Sequence, residues 1–178
     1  MEIKKIVTGA LEENCYVLSK DGTCLIVDPG SDSKDIKELV GDDKIIGVLV
    51  THAHFDHIGA LRDFLNSNRR LKIFKKSNLT DMKEVEVGTF KFIPIMTPGH
   101  SSDSVTFYFK DDNAMFVGDF IFRDTVGRCD LPTGSSEEMD KSIEKIKAYD
   151  DSIALYPGHG DETTLGREKE YNLYFINK

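Results

Sequence analysis

Cysteine, long apolar runs and net positive charge are all scarce in this chain, and each shortage excludes something. Cys15, Cys24 and Cys129 are the three cysteines of 178 residues, with no C-x-x-C pair, so reduced thiols fit better than a disulfide framework. No apolar run approaches the ~20 residues that a membrane-spanning helix needs. The opening MEIKKIVTGALEENCYVLSK interrupts its short apolar stretches with charge and has no export-signal pattern, so cytoplasmic residence without a membrane partner is expected. Basic residues number 23 against 31 acidic ones, and the net charge of −8 argues against nucleic acid as a partner. The one basic cluster, NRRLKIFKK at 68–76, reads as a solvated loop and strand edge. Histidine is scarce too. Yet of five in the chain, three stand with an aspartate within six positions of THAHFDHIG, residues 51–59.

What is present is ordinary for a globular chain: 39% hydrophobic and 30% charged residues. No linker or low-complexity stretch divides it, and one domain over 1–178 is expected. Strand-length apolar runs recur, among them CYVLS, TCLIVD, IIGVLVT, FKFIPIM, SVTFYF, AMFVGD and SIALYPG. Helical spacing lies between them. SKDIKELVG places Ile36, Leu39 and Val40 on one face, with Ser33 as a cap and Gly41 as a stop. A helix over 58–66 follows the histidine cluster, and SSEEMDKSIEKIKAYD predicts another, entered through Ser135 or Ser136. TPGH at 97–100 and YPGH at 156–159 echo each other after predicted strands, which suits a layered α/β architecture of two similar halves.

His52, His100, Asp119 and His159 each directly follow a predicted strand, where loop residues are free of ladder hydrogen bonds and sites assemble. All five histidines are then accounted for, and independent bland explanations for all of them are improbable. Imidazole and carboxylate are zinc ligands, and both also suit iron and manganese. Seven candidates, His52, His54, Asp56, His57, His100, Asp119 and His159, exceed what one tetrahedral ion takes, so two divalent ions are expected, zinc first and iron or manganese as alternatives.

THAHFDHIG with TPGH, VGD and PGHG resembles the metallo-β-lactamase superfamily. NCYVL, IVDPG, TPGHSSDSV, VGDFIF, VGRCDLPTG and YPGHGDETTLGREKEYN are similar to its glyoxalase II-like hydrolases, over about residues 14–172. The resemblance implies an αββα sandwich. It implies one ion on His52, His54 and His100, a second on Asp56, His57 and His159, and Asp119 as the bridge, with Asp56 and Asp119 as the catalytic carboxylates. A class B β-lactamase reading would expect an export signal and a ligand cysteine; a flavodiiron reading would expect glutamate in place of the second signature histidine. The helical C-terminal domain of two-domain glyoxalase II has no counterpart here.

The function so implied is hydrolysis of a small 2-hydroxyacyl thioester such as S-lactoylglutathione by a metal-bound hydroxide. The loaded site carries positive charge and favours an anionic acyl thioester. Arg128 in VGRCD matches the position of a basic residue that binds a glutathione carboxylate. Asp28 in IVDPG either orients a ligand histidine or forms a turn before Pro29. Cys129, Tyr171 and Tyr174 are expected to pack. A mononuclear iron persulfide dioxygenase of the same fold, and a lactone or phosphodiester hydrolase, are the alternatives.

Overall fold

The computed structural model describes residues 1–176. One mixed sheet holds β1 (Glu2–Thr8), β2 (Glu13–Lys20), β3 (Thr23–Val27), β4 (Lys44–Leu49) and β5 (Lys72–Phe74), in that spatial order. The first three strands are antiparallel, and β3, β4 and β5 are parallel. The second sheet holds β6 (Val85–Val87), β7 (Phe90–Met96), β8 (Val105–Phe109) and β9 (Ala114–Gly118). A ribbon of β10 (Ile121–Phe122) and β11 (Thr125–Val126) precedes its last strands, β12 (Ala154–Pro157) and β13 (Thr163–Thr164), giving the order β13-β12-β9-β8-β7-β6.

The side-chain period of two explains the layering. In β2 and β3, Tyr16, Leu18, Leu25 and Val27 point to one side and pack with Phe92, Phe107, Phe109 and Phe116 of the other sheet. Their neighbours Cys15, Val17, Cys24 and Ile26 point the other way, onto Ile36 and Val40 of α1 (Ser33–Val40). The same outer layer takes Phe64, which lies beyond α2 (Phe55–Ile58) in α3 (Leu61–Ser67). Across the molecule, Ile95, Met115, Val117 and Leu155 turn outward to meet Met139, Ile143 and Ile146 of α4 (Ser136–Lys147), Leu165 of α5 (Leu165–Tyr171) and Phe175 of α6 (Leu173–Ile176). Helix, sheet, sheet, helix is the αββα sandwich expected. Strands buried on both faces read as continuous apolar runs, as these do.

Local differences from the sequence reading have causes. Asp32, not Ser33, precedes α1, in a left-handed conformation (φ 55°), while Gly41 ends the helix as expected. Ser135 caps α4 by accepting from the Glu138 N–H at 3.3 Å. The helix expected over 58–66 is two helices, α2 and α3. Between them, the Ala60 N–H donates to Pro29 O (3.0 Å) and Gly30 O (2.8 Å) instead of to its own turn. Cys129 packs half-buried against the α4 layer. Tyr171 and Tyr174 do not pack; they are 57% and 47% exposed, with the Arg167 guanidinium over the Tyr171 ring. Among the described residues, no helix is long and apolar enough to cross a membrane.

Candidate metal centre

Topology delivers the site. β7 and β9 each run antiparallel to β8, and β12 runs parallel to β9, so all three end at one edge and place His100, Asp119 and His159 there. β3 and β4 are parallel and bring Asp28, Thr51 and His52 to the end of the other sheet. The two edges are tied together: the Val105 N–H donates to Thr51 O (2.8 Å), and the Asn14 N–H to Gly158 O (2.7 Å). The Tyr16 hydroxyl donates to Pro157 O (2.7 Å). His54 stays in the loop after β4, whereas Asp56 and His57 lie inside α2 rather than ahead of a helix.

All seven expected ligands converge, in two groups. His54 Nδ1 lies 3.1 Å from His52 Nε2 and 2.9 Å from His100 Nε2. In the other group, Asp56 Oδ2 is 3.3 Å from His159 Nε2 and 3.8 Å from His57 Nε2. Asp119 reaches both: Oδ1 is 3.3 Å from His57 Nε2, and Oδ2 is 3.6 Å from His100 Nε2 and 3.7 Å from His159 Nε2. Ligands held at ~2.0–2.1 Å around a tetrahedral ion sit ~3.3 Å from one another, which is the spacing observed.

The outward ring nitrogens show which inward ones are free to ligate. His100 Nδ1 donates to Arg128 O (2.7 Å), and His57 Nδ1 donates to Asp28 Oδ2 (2.9 Å). The Thr51 hydroxyl gives its hydrogen to Asp28 Oδ2 (2.5 Å), so it accepts from His52 Nδ1 (3.1 Å). In all three rings Nδ1 carries a proton held outside, and Nε2 faces inward toward the other donors. Among the described residues, His57 Nε2 and Asp119 Oδ1 are buried without a hydrogen-bond partner. Buried polar atoms left in this way, beside the five other candidate donors, fit a cation.

Electrostatics agrees. Burial, then the neighbouring His57, push His52 down to about 2, and burial with His100 lowers His54, so these imidazoles stay uncharged and able to ligate. Burial opposes a charge on His57, but the facing carboxylates of Asp119 and Asp28 outweigh it and raise His57 well above the usual imidazole range. Burial likewise works against the Asp119 carboxylate, and His57 overcomes it and holds Asp119 low. A cation seated between His57 and Asp119 would compete with a proton for the same place.

Three supporting residues were not found in the sequence. Thr51 locks His52 to Asp28, and Asp103 accepts the Ala53 N–H (3.2 Å), fixing the loop that carries His52 and His54. Glu13 is fully buried behind His57; burial and then Asp28 push it up to about 9, so it is a neutral acid that accepts from Thr8 (2.8 Å). A threonine preceding the cluster was the one visible signal, since Glu13 needs sheet register to be placed. Asp28 combines both readings offered for it: it orients His57, and it adopts a turn conformation with φ 47°. Asp28→Asn puts an amide hydrogen against Thr51 or His57. It should weaken metal binding in the Asp56–His57–His159 group, which Asp28 touches directly, by about ten- to a hundredfold in a chelator competition, and less in the other group, which it reaches only through Thr51 and His52. Equal weakening of both groups would deny Asp28 this orienting role.

A cavity of about 960 Å³ opens onto the ligands, lined by Leu11, Phe55, Phe122, Leu131 and Pro132 among others. Arg128 is at its wall. The Arg128 guanidinium is held by Asp130 through two contacts of 2.6 and 2.7 Å.

The metallo-β-lactamase superfamily model matches residues 8–69 and 72–159. The chain is 31% identical to the probable metallo-hydrolase YqgX of Bacillus subtilis, covering 98% of this chain and 97% of the relative. It is 27% identical to the hydroxyacylglutathione hydrolase GloC of Haemophilus influenzae over the whole of both. The B3 metallo-β-lactamase BLEG-1 superposes with a TM-score of 0.92 at 29% identity, over 98% of this chain and 99% of that one. With the family's pattern matched over residues 8–69 and 72–159, through both sheets, this chain belongs to the metallo-β-lactamase superfamily.

Proposed function

We propose that the protein is a dinuclear metal-dependent hydrolase of small 2-hydroxyacyl thioesters, with S-lactoylglutathione as the reference compound of that class. The observation that carries this reading is the division of seven donor residues into two groups that meet at Asp119. Two divalent ions supply a nucleophilic water at neutral pH and draw charge from a bound carbonyl. His52, His54 and His100 would hold one, Asp56, His57 and His159 the other, and Asp119 would be shared. The chain itself orients these donors through Asp28, Thr51 and the Arg128 carbonyl, and Asp56 and Asp119 border the cavity where a carbonyl must enter. A thiol leaving group with an unperturbed pKa near ~8.5 departs without a strong proton donor, so the lack of a spare histidine is no obstacle. The name of GloC supports thioester cleavage; BLEG-1 keeps β-lactam hydrolysis in the comparison.

Protein purified without chelator should carry about two divalent ions per chain by elemental analysis, zinc foremost. One preparation is then given S-lactoylglutathione, glutathione persulfide in an oxygen electrode, and a β-lactam. Thiol release with no oxygen uptake is expected. Oxygen uptake without thioester cleavage would assign the site to a mononuclear iron dioxygenase, and β-lactam turnover alone to a lactamase. A chain that takes up no transition metal even on reconstitution would end the reading.

A further inference from the structure

We infer that the thiol arm of the substrate is uncharged and apolar, and that the Arg128–Asp130 pair holds this pocket back from recognising a carboxylate-bearing thiol such as glutathione. The inference rests on the thioester reading and deepens it. Among the lysines and arginines of the described residues, Arg128 alone lines the cavity. Two of its three guanidinium nitrogens, Nε and Nη2, are engaged by Asp130 in a fork geometry. Asp103 stands on the same wall with its own carboxylate. An arm with two carboxylates would find there one arginine already matched, and a like charge. The remaining surface suits the opposite chemistry. Leu11, 52% exposed beside β1, and Phe55, 75% exposed, face the cavity with Phe122, Leu131 and Pro132. Exposed apolar side chains gathered at the mouth of a polar centre mark a binding surface.

That wall is preformed. Gly134 N–H donates to Leu131 O (2.9 Å), Ser135 N–H to Gly99 O (2.8 Å), and the Arg128 carbonyl receives His100 Nδ1, so the loop over 128–135 is anchored at both ends. The reaction is unchanged: water adds to the acyl carbon, the C–S bond breaks, and the products are the 2-hydroxy acid and the free thiol. Only the thiol's chemistry is at issue.

The test uses the metal-loaded full chain and two lactoyl thioesters with the same acyl group, one of benzyl mercaptan and one of glutathione. The benzyl compound should have the higher kcat/KM, by about tenfold or more. Leu11→Ser and Phe122→Ser should erode that preference, and Asp130→Asn should lower KM for the glutathione compound by about two- to fivefold, the range for loss of an exposed ion pair. Preference for the glutathione compound, with Arg128→Ala raising its KM about ten- to a hundredfold, would overturn the inference and leave thioester hydrolysis standing. If neither compound is cleaved, the thioester reading falls. Calorimetry with the matching uncleavable 2-hydroxypropyl thioethers then still decides the arm: tighter binding of the benzyl thioether upholds the inference, and tighter binding of the glutathione thioether overturns it.

Discussion

Asp119→Ala protein should come off the column with less than about half the metal of the parent and a kcat reduced by about a thousandfold, since outer-shell losses alone cost ten- to a hundredfold. Asp119 reaches both ligand groups, with Oδ1 toward His57 of one and Oδ2 toward His100 of the other as well as His159. Truncating it takes from the buried His57 Nε2 its nearer carboxylate, at 3.3 Å, and leaves only Asp56 Oδ2 at 3.8 Å. His100→Ala is the proper comparison, because it removes one donor from one group only. Metal titrated back into both variants, followed by elemental analysis and turnover, tests the bridge. Equal occupancy and equal rate in the two would show that Asp119 is only one ligand among seven.

Gly158→Ala should be nearly as damaging although it removes no functional group. A Cβ at this position would stand 2.4 Å from Asp119 Oδ1 and 2.5 Å from His57 Cε1. Contacts so short must open by about 1 Å, and a misplacement of that size in a reacting geometry costs ~10²-fold. The backbone cannot withdraw, since the Gly158 N–H is bonded to Gly118 O (2.9 Å) and its carbonyl to the Asn14 N–H (2.7 Å). A hundredfold fall in kcat/KM with weaker metal retention against a chelator is therefore expected, while circular dichroism keeps the parental fold signal. Turnover within about threefold of the parent would mean that the ligands have room the distances deny.

The ligand set was legible because its chemistry is concentrated in rare residues. Five histidines, three of them within THAHFDHIG, leave few readings, and all seven expected donors converge in the structure. The layered fold was legible for a similar reason, since α1 and α4 carry helical spacing and β2, β3 and β9 carry unbroken apolar runs. What escaped was decided by contacts between distant segments. The break between α2 and α3 follows from the 29–30 turn, whose carbonyls capture the Ala60 N–H. A side chain on Gly59 would meet Gly30 O at 2.3 Å, so the break is also a point of close backbone approach. Glu13 is an ordinary surface residue by sequence, and only its register opposite Thr8 buries it. The state of Arg128 turns on Asp130, two positions on, and residue type alone does not say whether a guanidinium is free or matched.

The bonds from Asn14 and Tyr16 to the loop around Pro157 and Gly158 join positions more than 140 residues apart. In kinetic terms they belong to the slowest class of contact, because loop-closure entropy is lost before such pairings return any energy. Hairpins such as β1–β2 close over a few residues and form early, whereas His159 arrives only when β12 has docked beside β9. On a ribosome, a chain that has emerged as far as Asp119 already owns the three imidazoles of one group but lacks His159 from the other. Any metal capture by the two groups would thus be ordered in time by chain synthesis. Ions that bind only the docked state then pull the slow final step forward by mass action.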